Sequence, residues 1–200
     1  VDESLVAHLK RTVGDELEDE YRKLLAYADS ETVLTEQQKL AIMQSLYNCR
    51  ILDPACGSGA FPVGVLQQMV HILKQIDPDN SRWKNMLLQF AIDETSEAYL
   101  TSTAEERREA VADIERAFDE NVNYPDYARK LHLIENCIYG VDIQPIAIQI
   151  SKLRFFISLV IDQKRNDNPA DNFGIRPLPN LEAKFVAANS LLGLKKTEAT

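Results

Sequence analysis

The sequence predicts an α/β fold built on three short parallel strands, and three observations carry that prediction. Brief apolar runs at 50–53, 136–142 and 185–188 each lead into polar turn residues, the pattern of strands buried on both faces. The stretches between them carry apolar residues at steps of three and four, long enough to serve as crossover helices. Glycine (7) and proline (8) are scarce among 200 residues, which favours long helices over many short strands joined by turns. Hydrophobic residues at 45% and charged residues at 26% exclude a disordered or fibrous chain.

Taken in order, residues 1–29 read as one helix, with Leu5, Leu9, Val13, Leu17, Tyr21, Leu24 and Ala28 on a common stripe. Residues 29–32 break it. Thr35 then N-caps a helix over 36–47, with Gln38 as the capping-box partner. Arg50-Ile51-Leu52-Asp53 is the first strand, and 54–59 is a tight loop. Residues 60–76 are helical, with Pro62 in the first turn, and 77–80 stop that helix. Residues 81–132 form an acidic, mostly helical segment, interrupted at 121–127, with a short helix running to His132. The second strand lies within 136–142. Pro145 opens a helix that runs to Ile161 and is apolar on more than one face, as expected of one packed on a sheet and covered by something else. Residues 163–182 form a loop rich in Asn, Asp and Pro, and 185–188 is the third strand. The predicted organisation is a helical segment over 1–48 and a second domain over 49–200 into which 81–132 is inserted.

The formal charge of −9 disfavours binding to a phosphate backbone. Much of it lies between Asp93 and Glu120, where ten acids face three arginines; that run reads as a solvated helix face. Cys49, Cys56 and Cys137 form no CxxC pair, so neither a zinc site nor a disulfide framework is indicated, and a reducing cytoplasm is the expected compartment. No stretch is long and apolar enough to suggest a membrane span. The start, Val1-Asp2-Glu3-Ser4, has neither an initiator Met nor a signal-peptide pattern, so an excerpt of a longer chain is expected.

The chemistry concentrates in Asp53-Pro54-Ala55-Cys56-Gly57-Ser58-Gly59, between the first strand and a helix. Glycines there let the backbone approach a ligand closely, and the helix start offers free N–H groups and a positive dipole end. The string is no dinucleotide fingerprint, because Pro62 stands where a third glycine belongs, and no Gly-Lys-Ser/Thr follows to make a P-loop. An acid at the strand end suits the ammonium of an amino-acid-like ligand better than a pyrophosphate. Asp142, closing Tyr139-Gly140-Val141-Asp142, is placed to accept two ribose hydroxyls or to cap the helix at Pro145. It lies more than 80 residues after the glycine loop, against about 20 in ordinary nucleotide folds; the inserted 81–132 supplies the excess. Asn189, after the third strand, is able to donate to and accept from a purine edge, or simply to turn the chain. Cys56 reads as a small loop filler, and His8, His71 and His132 as surface or packing residues.

These strings carry a resemblance. Residues 53–61, with the extension Ala60-Phe61, resemble the first motif of DNA adenine-N6 methyltransferases. Residues 138–145 resemble the second motif and 180–192 the third. The relatives in view are single-chain type II (subtype G) restriction–modification enzymes and phage-resistance (BREX) adenine methyltransferases. The resemblance implies a partial Rossmann-like sheet that binds S-adenosyl-L-methionine (AdoMet). Asp53, Pro54, Ala55, Cys56, Gly57, Ser58 and Gly59 would surround the methionine portion. Asp142 would hold the ribose, Ile143 would pack on the adenine ring, and Asn189 would face the adenine edge. The family's catalytic string, Asn/Asp-Pro-Pro-Tyr/Phe, is absent; Asp53-Pro54-Ala55 and Asn168-Pro169-Ala170 are the nearest approaches. The expectation is an AdoMet-binding part that is inactive by itself, within an enzyme whose DNA contacts lie outside these residues. Half a sheet also leaves a strand edge exposed, so self-association is expected. A non-catalytic nucleotide-binding or scaffolding module, and a methyltransferase of RNA or small molecules, stay open as alternatives.

Overall fold

A computed structural model describes residues 1–27, 31–92, 104–177 and 179–192. It is α/β, with strands β1 (Ile51–Asp53), β2 (Ile138–Asp142) and β3 (Phe185–Ala187) in one parallel sheet of order β1-β2-β3. The register pairs Ile51 with Ile138 and Asp53 with Gly140, then Gly140 with Phe185 and Asp142 with Ala187. β2 therefore projects two residues past β1. Parallel neighbours need crossovers. After β1 the crossover begins with α4 (Ala60–Ile76), and after β2 it is made by α8 (Pro145–Val160).

The capping box at Thr35 forms as the sequence predicts. The Gln38 N–H donates to Thr35 Oγ1 at 3.3 Å, and the Thr35 N–H donates to Gln38 Oε1 at 2.8 Å, opening α3 (Glu36–Asn48). The single helix expected over 1–29 is not found. The chain forms α1 (Asp2–Thr12), a short 3-10 turn at Asp15–Leu17 and α2 (Glu18–Leu25). Gly14 causes the break: its φ of 151° is rarely adopted by L side chains, and its carbonyl accepts from the buried Tyr21 hydroxyl at 2.9 Å. Residues 28–30 lie outside the described residues.

The segment between α4 and β2 contains α5 (Ser81–Ile92), α6 (Ala104–Ala117) and α7 (Asp126–Asn136). Asp77 ends α4 and also starts α5, its carboxylate accepting the N–H groups of Arg82 and Trp83. Arg129, 1% exposed, locks this corner to α7, bonding the Asp77 carbonyl and, at 2.6 Å, Asp126 Oδ1. The helix expected to stop at His132 continues to Asn136, because Cys137 N–H still bonds the Leu133 carbonyl; the second strand accordingly starts at Ile138. The described part of the acidic run, on α6, is mostly exposed, and 93–103 lie outside the described residues.

One apolar core unites these elements. It runs from Leu5 and Leu9 of α1 through Leu66, Met69 and Leu73 of α4 to Phe155 of α8 and Phe185 of β3. Ile138 and Phe185 are buried on one face of the sheet, the face that meets α4 and α8, while Leu52 and Val186 on the other face are exposed. No helix among the described residues is long and apolar enough to cross a membrane.

Candidate ligand site at the strand tips

The register sets the geometry. Because β2 outruns β1, the loop after Asp53 folds over the projecting end of β2. Cys56 N–H donates to the Val141 carbonyl at 2.9 Å, and Gly57 N–H donates to Asp142 Oδ2 at 2.9 Å. The two signals read from the sequence, 85 residues apart, thus meet in a direct hydrogen bond. Asp142 is half-buried, and its Oδ1 accepts the Gln144 N–H at 2.8 Å. That bond turns the chain into α8, whose N-cap is Gln144 rather than Asp142. Each carboxylate oxygen accepts two hydrogen bonds, so each keeps one acceptor position.

Asp53 Oδ1 closes its own turn on Ala55 N–H at 3.1 Å. The Cys56 thiol feels both acids. Burial pushes its pKa up, the Asp53 and Asp142 carboxylates push it further, and a hydrogen bond with Ser151 opposes them. Its thiolate is suppressed, in keeping with a loop filler rather than a nucleophile.

The three glycines of the site differ in what surrounds them. Gly57, at φ 54°, has nothing within 4 Å of where a Cβ would stand, so its outer face is open. Gly59, at φ 81°, would place a Cβ 2.7 Å from Ser151 Oγ and 3.2 Å from Ser151 Cα. Gly140 makes room for Phe185 and the Cys56 sulfur. Gly59 is also the N-cap of α4, and no side chain caps that helix start.

The third strand completes the rim. Ser190 Oγ donates to the Pro54 carbonyl at 2.8 Å, tying the β3 end to the loop. Asn189 is exposed and its Oδ1 accepts the Leu191 N–H at 3.0 Å, so it turns the chain, and its Nδ2 has no protein partner among the described residues. Ile143 is 67% exposed beside Asp142. The sequence reading missed Ser151 and Arg154 of α8, which bond the carbonyls of Gly57 and Ser58 at 3.0 and 3.3 Å. The available signal was a hydroxyl in phase with the buried Ile148 and Phe155. A separate groove of about 1220 Å³, between the α6–α7 helices and the loop from Lys164 to Pro177, includes none of the predicted residues.

The chain is 30% identical over 175 residues to a protein of Methanocaldococcus jannaschii named "Putative type II restriction enzyme and methyltransferase". That match covers 84% of this chain and 11% of the relative, so the chain spans about a tenth of the relative's length. No family model matches the chain, and no solved structure matches it significantly.

Proposed function

We propose that this chain binds AdoMet across the tips of β1, β2 and β3, as the cofactor-binding part of a DNA adenine-N6 methyltransferase in a restriction–modification or phage-defence system. The observation that carries the reading is the bond from Gly57 N–H to Asp142 Oδ2, which makes one cradle of a glycine loop and an acid suited to a ribose. The residues fit the cofactor's parts. The uncapped start of α4 and the open face of Gly57 suit a carboxylate. Asp53, with one carboxylate oxygen on Ala55 and the other without a protein partner among the described residues, suits the ammonium. The remaining acceptor positions of Asp142 suit the two ribose hydroxyls, the exposed Ile143 the adenine ring, and Asn189 Nδ2 a ring nitrogen.

AdoMet would supply a methyl group activated on a sulfonium; these residues would bind and orient it. The relative's name joins restriction to methyl transfer, which supports a DNA-modification setting. Adenine specificity rests on the motif resemblance. The net charge of −9 and the absence of an Asn/Asp-Pro-Pro-Tyr/Phe string support the reading that other segments of a longer enzyme make the DNA contacts and capture the base.

Calorimetric titration tests this. Binding of AdoMet or S-adenosylhomocysteine, weakened tenfold or more by Asp142→Ala, supports the reading. Preferential binding of NAD or ATP overturns it.

A further inference from the structure

The Gly57 residue is gripped from two sides. Its N–H is held by Asp142 at 2.9 Å, and its carbonyl accepts the Ser151 hydroxyl at 3.0 Å. Ser151 is wholly buried in the middle of α8, 94 residues further along the chain. A buried hydroxyl costs free energy unless it is bonded, and within a helix it commonly returns to the carbonyl four residues back. Here it donates instead to the loop. One turn on, Arg154 Nη1 reaches the Ser58 carbonyl at 3.3 Å, and Gly59 presses against Ser151 with no room for a Cβ.

Of the five amide donors from Ala55 to Gly59, four have protein acceptors: Asp53, the Val141 carbonyl, Asp142 and the Cys56 carbonyl. Ser58 N–H is the exception among the described residues. Ser58 N–H belongs to the same peptide plane as the Gly57 carbonyl, and in a trans peptide the two point in opposite directions. Holding that carbonyl inward on α8 therefore turns the Ser58 N–H outward, next to the open face of Gly57.

We propose that Ser151 is a positioning residue: by anchoring the Gly57 carbonyl, it aims the Ser58 N–H at the carboxylate of the bound amino-acid moiety. The inference rests on the AdoMet reading above and adds to it the donor for the cofactor's methionine end and the residue that orients it.

The test compares two ligands that share the adenosine portion. AdoMet carries the amino-acid end, and 5′-methylthioadenosine lacks it. In calorimetry on the whole chain, Ser151→Ala weakens AdoMet about tenfold, the worth of one hydrogen bond to a charged group. Its affinity for methylthioadenosine stays within about twofold of the wild type. Ser151→Cys, close in size and a weaker donor, falls between on AdoMet alone and serves if the alanine variant unfolds. Equal weakening of both ligands, or no weakening of either, overturns the inference and leaves AdoMet binding standing. A wild-type chain that binds neither ligand overturns the functional reading and this inference with it.

Discussion

Gly57 and Gly59 stand two residues apart in the same loop, both at positive φ, 54° and 81°, and a methyl group added to each meets different surroundings. At Gly59 the new Cβ would collide with Ser151, including its backbone Cα at 3.2 Å, so rotation of one side chain gives no relief. Gly59→Ala should destabilise the fold by about 2 kcal/mol or more and lower Tm by roughly 4–8 °C. At Gly57 the new methyl meets only open space, leaving the left-handed backbone cost of about 1 kcal/mol. Gly57→Ala should therefore keep most of the wild-type Tm and lose AdoMet affinity by more than tenfold, because the methyl occupies the face assigned to the ligand. Thermal scans beside calorimetry decide it. Equal losses of Tm in the two variants, or normal affinity in Gly57→Ala, would show that the open face is not where the cofactor lies.

At the scale of elements, α8 has two apolar sides. Ala147, Ile148, Phe155 and Leu159 are buried, while Ile146, Ile150, Leu153 and Ile157 are exposed on the opposite side. The exposed set, three Ile and one Leu, follows steps of four, three and four, the spacing of a coiled-coil seam. It offers a contiguous apolar stripe on the solvent side of α8, the kind of exposed patch that marks an interaction site. A second copy of the chain, its α8 laid along this one, is the occupant that such spacing fits. Sedimentation velocity should show weak dimerisation, removed by Ile150→Glu with Ile157→Glu; a wild-type chain that stays monomeric at every concentration rules the pairing out. Much at this scale was legible in the sequence. The stripe along α4, the Thr35–Gln38 box and the three strands follow from local pattern and short-range chemistry. Gly14 was passed over because the apolar stripe runs on in phase across it, and one glycine is tolerated in a helix at modest cost. The partner of Ser151 was illegible for the opposite reason: the helical phase marks its hydroxyl as buried, but the carbonyl it bonds lies 94 residues away, and no periodicity records that. Asp142 was legible as a candidate at a strand tip, while its hold on Gly57 required the register of β1 on β2.

For the molecule as a whole, one aromatic stack ties helix packing to the response to acid. His132 of α7 lies against Tyr47 of α3 at 4.7 Å between ring centroids, and edge-on to Trp83 of α5 at 5.4 Å; Tyr47 in turn stacks on Phe90. The stack joins three helices. Burial holds the His132 pKa down at about 4, and the nearby Arg50 charge adds to the effect. A folded-state pKa below the unfolded value means that the unfolded chain takes up the proton first. The folded state is then fully favoured above the unfolded pKa of about 6.5, and stability is lost as pH falls from there towards 4. Between pH 7 and pH 5 the loss from this one ring is about 2 kcal/mol. The ion-paired carboxylates Glu3, Glu18, Glu20 and Glu36, all held below their ordinary values, lose their contributions only at lower pH, whereas burial raises the pKa of Glu135 on α7, which acts in the opposite sense; a variant of the histidine itself separates the two. His132→Phe keeps a flat ring against Tyr47 and removes the titration. Urea unfolding at pH 7, 6 and 5 should show a declining midpoint in the wild type and a nearly level one in the variant. Parallel declines would mean that His132 takes up its proton within the folded chain, with the three helices still in place.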